Sequence, residues 1–302
     1  TEMATRLLGF LPIFNCLPAQ GEETLKLLGV LRLIRPVNAV IAFVAVIAGA
    51  ATVGRTFVRL EVLLGAVSAS LILMSGNAVN DVFDIEADRV NRPQRPLPRG
   101  DLSPRQALLI SLMLTGVALI LALSVNIRCL LVALFYAMVF FIYAVWLKPS
   151  GLLGNIAVSS GTGMSFIFGS LTIDWFLPLT VIFAICAFIL NLGREIVKGV
   201  EDLEGDRVRN CRTIAMTQGP RAAGLAVVAL YVALLPLSIA PSLLGYVGPV
   251  YLVSMLLADI VVLFVVQESA ALNTKNAPRV SRLIKFSMAL GVAAFFVGAI
   301  TR

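Results

Sequence analysis

The sequence predicts an all-α integral membrane protein, and three observations carry this prediction. Hydrophobic residues make up 59% of the 302 residues and charged residues only 14%, whereas a soluble domain carries about a quarter charged residues. Nine apolar runs approach or reach the roughly 20 residues that a helix needs to cross a bilayer. None of the runs alternates apolar and polar residues as a lipid-facing β-strand would, so the backbone must satisfy its hydrogen bonds within helices.

We expect nine transmembrane helices within a single membrane domain that covers residues 1–302. The apolar runs are 37–53, 60–80, 106–124, 129–146, 152–173, 176–193, 221–241, 244–266 and 284–300. The first and last runs are short and borrow flanking residues. Residues 1–36 are expected to form an interfacial or cytoplasmic segment. In the fifth run, Gly169 predicts close helix packing.

Basic residues are distributed unevenly between the two sides of the membrane. All but four of the 24 Lys and Arg residues precede the first run or follow an even-numbered run, the exceptions being Arg55, Arg59, Arg128 and Arg302. The positive-inside rule therefore places the N-terminus and the long loops in the cytoplasm of a multi-pass cell-membrane protein. This explains the net charge of +7 without a nucleic-acid partner, and nothing indicates a protein partner. Histidine is absent, which excludes imidazole chemistry and His-ligated haem or zinc.

The chain contains an internal repeat. Residues 84–90 (DIEADRV) and 202–208 (DLEGDRV) are identical at five of seven positions. Each copy follows an even-numbered run, and four runs separate the copies, so an even number of spans restores the same orientation. This pattern predicts two four-helix repeats, with chance similarity between two polar loops as the alternative.

The repeated segments are acidic in a way that predicts a metal site. Helical spacing aligns the polar residues of the first segment on one face, and Asp202 and Asp206 form an i, i+4 pair in the second. Carboxylates so close together repel one another unless a cation lies between them. Asp and Asn oxygens without His or Cys are suited to Mg²⁺, which keeps positions for water and phosphate oxygens. If the copies face each other, each can hold one Mg²⁺ and a diphosphate can bridge both.

These segments also resemble the motifs of a known family. Residues 80–88 (NDVFDIEAD) match the NDxxDxxxD motif of the UbiA-type intramembrane prenyltransferases, and residues 202–206 (DLEGD) match their DxxxD motif. The resemblance covers nearly the whole chain and implies nine spans around a central cavity, open to lipid and capped by cytoplasmic loops. It implies an enzyme that ionises an isoprenyl diphosphate with Mg²⁺ and alkylates an acceptor through an allylic carbocation.

The resemblance also implies roles for individual residues. Two Mg²⁺ ions are expected, with metal ligands drawn from Asn80, Asp81, Asp84, Asp88, Asp202 and Asp206. The diphosphate is expected to contact Arg35, Lys148, Lys198 and Arg194, although such basic residues at span ends can equally contact lipid headgroups. The expected catalytic residues are Asp84, Asp88, Asp202, Asp206 and Tyr143. The Tyr143 ring would steady the cation, unless it only packs in the cavity wall.

The acceptor is indicated by two further segments. Residues 91–100 (NRPQRPLPRG) resemble one branch of the family, which includes archaeal digeranylgeranylglyceryl phosphate synthases and chlorophyll synthases, and residues 193–202 are most similar to the archaeal enzymes. The implied reaction transfers geranylgeranyl from its diphosphate to geranylgeranylglyceryl phosphate in archaeal ether-lipid synthesis. The phosphate of that acceptor would find a use for Arg207, Arg209 and Arg212, which can equally be topology determinants.

Two alternatives stay open at this point. A prenyltransferase of the same fold could use an aromatic acceptor, such as a quinone precursor or chlorophyllide, with the same metal ligands. A cation-coupled secondary transporter would also need an acidic site at a repeat interface, although such sites usually lie near the bilayer midplane. Asp259 lies inside the eighth run, where a carboxylate is either functional or held by a polar partner.

Overall fold

The computed structural model describes residues 27–54 and 58–301. These residues form helices and connecting loops, and no β-strand occurs among them. The prediction of an all-helical fold is therefore confirmed. The expected N-terminal segment, 1–36, lies mostly outside the described residues and is seen only from Leu27 onward.

Thirteen α-helices follow one another along these ranges. They are α1 (Leu27–Ile34), α2 (Pro36–Ala51), α3 (Leu60–Phe83), α4 (Ile85–Asn91), α5 (Pro104–Val125), α6 (Ile127–Ile142), α7 (Leu152–Leu171), α8 (Pro178–Glu201), α9 (Leu203–Val208), α10 (Ile214–Thr217), α11 (Pro220–Leu243), α12 (Pro249–Ser269) and α13 (Ala277–Ile300). A π-helical turn, Tyr143–Leu147, and a 3₁₀ turn, Lys148–Ser150, extend α6. Eight of these helical segments are long and apolar enough to span a membrane, and α1 with α2 makes a ninth candidate that is bent by 46°.

Several predicted span boundaries were wrong where charged residues occur. The sixth span was expected to end at residue 193, but α8 continues for two more turns to Glu201. The ninth was expected to begin at residue 284, but α13 begins at Ala277. Hydropathy ends a span at the first charges because lipid rejects them. Here Arg194, Lys198 and Lys285 line an internal cavity instead of facing lipid.

Arg35 forms the bend between α1 and α2. Its backbone is left-handed, with φ 54° and ψ 67°, directly before Pro36. A residue that precedes proline normally adopts an extended conformation, and a left-handed non-glycine residue costs about 1–3 kcal/mol. The Arg35 side chain compensates by donating to Asn77 Oδ1 at 3.1 Å and by pairing with Asp81 on α3. The bend therefore aims a guanidinium at the first acidic segment.

Helices α2 and α7 meet at their backbones. A Cβ atom on Gly169 would lie 1.9 Å from the Val46 carbonyl oxygen, and one on Gly49 would lie 2.0 Å from the Phe166 carbonyl oxygen. Only glycine permits this approach from either side, so the close packing predicted for Gly169 is confirmed.

The long helices surround a central cavity of about 480 Å³. Every candidate span contributes residues to its wall except α5, which packs outside α3. Charged residues line the end near the two acidic segments, and apolar residues line most of the remainder. Asp259 also lines the wall, where it is buried and accepts a hydrogen bond from Ser238 Oγ at 2.8 Å.

Candidate active site

The two acidic segments have the same backbone conformation. Asp84 caps the end of α3, with φ −95° and ψ 0°, and Asp202 caps the end of α8, with φ −100° and ψ 14°. A short helix begins at the next residue in each case, and each aspartate carbonyl accepts a hydrogen bond from the residue four positions later, Asp88 or Asp206. The predicted repeat is thus visible in the conformation of the two motifs, while a repeat of whole four-helix units stays a prediction.

A motif clasp, formed by Asn91, Asp202 and Gly205, joins the two segments. Asn91 Nδ2 donates to the Asp202 carbonyl oxygen at 3.0 Å, and Asn91 Oδ1 accepts from the Gly205 backbone N–H at 3.0 Å. A Cβ on Gly205 would lie 2.2 Å from Asn91 Nδ2, so glycine is required for this approach. Arg92 donates to both carboxylate oxygens of Asp202, at 2.7 and 3.0 Å. The motifs therefore face each other in direct contact, as the metal hypothesis requires.

Asp84 is the most heavily neutralised carboxylate of the site. It pairs with Lys148 and with Arg209, and it accepts a hydrogen bond from Asn80 Nδ2 at 2.7 Å. Burial opposes ionisation of Asp84, but the cations of Lys148 and Arg209 outweigh it and hold the pKa at about 2. The Asp84 carboxylate is therefore paired with two cations, Lys148 and Arg209, at the same time.

Asp81 and Asp88 share a different cation. Arg95 donates to Asp81 at 3.1 Å and to Asp88 at 2.5 Å, and Asp81 also pairs with Arg35. Burial raises the pKa of Asp88, and the charge of Arg95 opposes this. These two expected metal ligands are therefore engaged by arginine side chains from the bend at Arg35 and from the loop that follows α4.

Asp206 stands in contrast to the other acidic residues. It is buried, and its carboxylate has no hydrogen-bond or ion-pair partner in the part of the chain that the structure describes. Burial raises the pKa of Asp206 to about 6, and the nearby carboxylates of Asp202 and Asp84 act in the same direction, against Lys148. An unpaired buried carboxylate beside two others favours binding of a cation.

A third group of charged residues lies on α8. Glu195 is buried and pairs with Arg194 at 2.9 Å and with Lys198 at 3.0 Å.

The π turn places Lys148 one turn beyond Tyr143, because the Lys148 N–H donates to the Tyr143 carbonyl, five residues earlier. Tyr143 is buried and lines the cavity, while Lys148 reaches Asp84. The turn therefore connects the cavity wall with the first motif.

The expected site residues fall into two sets. The cavity wall contains Arg35, Asn80, Tyr143, Arg194 and Lys198. The remaining residues lie outside the wall, around the two motifs, where all but Asp206 form ion pairs; they are Asp81, Asp84, Asp88, Lys148, Asp202 and Asp206. All of them therefore lie at one end of the cavity, where the first set lines the wall and the second set lies behind it.

This arrangement agrees with comparisons to known proteins. The model of the UbiA prenyltransferase family matches residues 39–299. The chain belongs to this family. Digeranylgeranylglyceryl phosphate synthase from Methanosphaera stadtmanae is 34% identical over 89% of this chain and 98% of that protein. The synthase of the same name from Methanopyrus kandleri is 36% identical over 88% of this chain and 97% of that protein.

Solved structures support the same assignment. A structure from work on digeranylgeranylglyceryl phosphate synthase in membranes is 32% identical, with a TM-score of 0.71, and the match covers 91% of this chain and 98% of that one. A UbiA homolog from Archaeoglobus fulgidus bound to GPP and Mg²⁺ is 20% identical, with a TM-score of 0.70 over 90% and 99% of the two chains, and shows the shared fold. The protein is therefore a multi-pass membrane prenyltransferase.

The residues at the cavity end fit the Mg²⁺ that the UbiA motifs imply. Asn80 Oδ1 is buried without a hydrogen-bond partner, and Asn80 belongs to the cavity wall. The unpaired Asp206 gives the second motif a similar acceptor. Across residues 27–54 and 58–301, no three His, Cys, Asp or Glu side chains form a ready-made metal cage. Mg²⁺ does not need one, because it typically takes one or two carboxylates and completes its shell with water and phosphate oxygens.

Sequence reasoning missed several partners of these residues. Asn91 and Arg92 contact Asp202, which is more than a hundred residues away in sequence, and Arg209 contacts Asp84. The signal that could have found two of them is the motif of residues 91–100, which begins with Asn91 and Arg92 beside the first acidic segment. The loop that begins at Asn91 is therefore in contact with the second motif, and its arginines do more than set the orientation in the membrane.

Proposed function

We propose that the protein transfers a geranylgeranyl group from geranylgeranyl diphosphate to the free hydroxyl of geranylgeranylglyceryl phosphate. The observation that carries the proposal is the pair of clasped acidic motifs at the charged end of a cavity that is otherwise mostly apolar. The relatives named digeranylgeranylglyceryl phosphate synthase, which match over nearly their whole length, support this acceptor. The product would belong to archaeal ether-lipid synthesis.

Two Mg²⁺ ions fit this reading. Asn80 and Asp84 would hold one, and Asp202 and Asp206 the other, with Asp81 and Asp88 supporting the first motif through Arg95. Bound there, Mg²⁺ would neutralise the negative charge that develops on the leaving diphosphate. Arg35, Lys148 and Lys198 would donate to diphosphate oxygens, and charge-assisted hydrogen bonds of this kind strengthen as the charge grows.

The ion pairs of Asp84 suggest how the site changes its partners. Lys148 and Arg209 neutralise Asp84 in the described structure. Both cations would gain a second anion when the diphosphate enters, and Asp84 would then be free to hold a metal ion. The Tyr143 ring then lies in the cavity wall one turn from Lys148, where its face can steady an allylic cation. The apolar wall beyond it would hold the prenyl chain and keep water away.

We also place the motif end of the cavity on the cytoplasmic side. The excess of Lys and Arg in the loops at this end supports that orientation. Labelling of intact cells with a membrane-impermeant thiol reagent would test this orientation. Single cysteines would be introduced at Arg99 and at Trp175, which lie at opposite ends of the spans. The proposal predicts labelling at residue 175 alone, and labelling at residue 99 alone would reverse the orientation.

The reaction is tested by transfer of radiolabelled geranylgeranyl from its diphosphate, in detergent with Mg²⁺. Geranylgeranylglyceryl phosphate and 4-hydroxybenzoate are offered in parallel. Variants Asp84→Ala and Asp202→Ala are expected to lose transfer, while Asp174→Ala, exposed at the opposite end of the spans, retains it. Label that moves only to the aromatic acid would overturn the acceptor. An intact diphosphate with every acceptor would overturn prenyl transfer.

A further inference from the structure

A set of charged side chains at the charged end of the cavity contains only one residue, Arg194, that was expected to contact the diphosphate. This set, the α8–α13 cluster, consists of Arg194, Glu201 and Lys285, all of which line the cavity. Lys285 lies on the cavity face of α13, because Ser281 and Met288, four residues before it and three after it, line the same wall. The cluster therefore faces the cavity space from two neighbouring helices.

Polar atoms of the cluster lack partners. Arg194 Nη1 donates to Glu195, but Arg194 Nε is buried without a partner, and Glu201 Oε1 is likewise buried and unsatisfied. Lys285 is exposed and forms no hydrogen bond or ion pair with any residue that the structure describes. Buried polar groups are nearly always hydrogen-bonded, so the unsatisfied Arg194 Nε and Glu201 Oε1 beside the cavity indicate atoms that a ligand completes.

One cation of the cluster has no carboxylate partner. The charged groups that act most strongly on the Lys285 ammonium are Arg194 and Glu201, followed by Arg92 and Arg35. The three arginines are already paired, Arg194 with Glu195, Arg92 with Asp202 and Arg35 with Asp81, which leaves the Lys285 ammonium to attract an anionic ligand. Asp84 is not among these groups, and its own strongest partners are Lys148 and Arg209. This end of the protein thus contains two groups of cations, one around Asp84 behind the cavity wall and one in the wall between α8 and α13.

The expected contacts of the acceptor phosphate must be revised accordingly. Arg207 and Arg212 are exposed and lie outside the cavity wall, and Arg209 is engaged by Asp84. None of these three arginines lines the cavity that the acceptor must enter. The α8–α13 cluster does, and it lies beside the cations that the diphosphate would use, because Arg194 shares Glu195 with Lys198 and Arg35 acts on Lys285.

We propose that Lys285 and Arg194 bind the phosphate group of the acceptor, and that Glu201 accepts a hydrogen bond from the glycerol portion beside it. This assignment rests on the proposed function and moves Arg194 from the diphosphate to the acceptor. A phosphate next to a hydroxyl matches two cations next to an unpaired carboxylate oxygen. The cluster would then select phosphorylated lipid acceptors and fix the direction from which the hydroxyl approaches the prenyl carbon.

The test uses the full-length protein with two acceptors, geranylgeranylglyceryl phosphate and its dephosphorylated form, geranylgeranylglycerol. Lys285→Ala is expected to raise KM for the phosphorylated acceptor about 10- to 100-fold, the size of one lost charge-assisted contact. KM for geranylgeranyl diphosphate and activity with geranylgeranylglycerol should stay near the parent values. Lys285→Arg should recover most of the lost affinity.

Arg282→Ala is the matched control, because Arg282 is exposed on the same helix and does not line the cavity. It should leave both acceptors unchanged. An equal loss with both acceptors, or a rise in KM confined to geranylgeranyl diphosphate, would overturn the assignment of Lys285 while leaving the proposed function intact. A parent protein that alkylates neither acceptor would instead remove the proposed function itself.

Discussion

The motif clasp should control activity through the position of Asp202 and Asp206, the second pair of metal ligands in the proposed function. Asn91→Ala removes two hydrogen bonds and leaves the Asp202 carbonyl and the Gly205 N–H without partners. Each such bond contributes about 0.5–1.5 kcal/mol, so the clasp is worth about 1–3 kcal/mol. If the whole of this free energy is lost from stabilisation of the transition state, kcat/KM falls by about 5- to 150-fold.

Asn91→Asp separates the two bonds of the clasp. The aspartate keeps an oxygen that can accept from the Gly205 N–H, but it places a second oxygen against the Asp202 carbonyl in place of the donor. The loss of activity should therefore equal or exceed that of Asn91→Ala, although the side chain has the same shape. In both variants the Mg²⁺ concentration that gives half-maximal activity is expected to rise.

The assay is radiolabelled prenyl transfer as a function of Mg²⁺, combined with thermal unfolding in the same detergent. Asn276→Ala is the control, because Asn276 also ties a loop together with three hydrogen bonds, but between α12 and α13, away from the motifs. It should lower the melting temperature without changing the Mg²⁺ dependence. If Asn91→Ala behaves like Asn276→Ala, the clasp is merely structural and the reasoning is refuted.

Three further outcomes are expected. Gly169→Ala should destabilise the protein by about 1–3 kcal/mol through overpacking against Val46, seen as a lower melting temperature, while Gly116→Ala, with open space around it, should not. Burial raises the pKa of Asp206 to about 6, so ionising it destabilises the folded state as the pH rises. In EDTA, between pH 4 and 7, the free energy of unfolding of the parent should fall by up to about 3 kcal/mol relative to Asp206→Asn. A constant difference between their melting temperatures would contradict this. Tyr143→Phe should retain most prenyl transfer and Tyr143→Ala should lose it, whereas equal losses would assign the role to the hydroxyl rather than the ring.

The sequence was sufficient to predict the fold and the motifs, because both depend on local pattern. Apolar runs and the absence of alternation predict membrane helices, and the two acidic copies are visible as a repeat. Span ends were less predictable, since hydropathy cannot distinguish a charge that faces lipid from one that faces a cavity, as Arg194 and Lys285 do. The left-handed backbone of Arg35 was also hidden, because a residue before proline normally favours extended conformations.

The partners of the acidic residues could not be read from one sequence. The contacts of Asn91 with Gly205 and of Arg209 with Asp84 join positions far apart along the chain, and they depend on how α3 and α8 pack. Local spacing predicts that carboxylates share a helix face, but not which cations stand opposite them. For the same reason, Lys285 looked like one more basic residue at a span end until its helix face was known.

The π turn after α6 has a consequence for how this segment can change during evolution. In a regular α-helix, residues five positions apart point about 140° away from each other. Here the wider turn places Lys148 directly after Tyr143, so that the aromatic ring in the cavity wall is followed by the ammonium that pairs with Asp84. Ala144 and Val145 are buried, so apolar residues of similar size are expected at both positions, whereas loss of either position would swing the lysine away from Asp84. Alignment gaps should be rarer in this segment than substitutions.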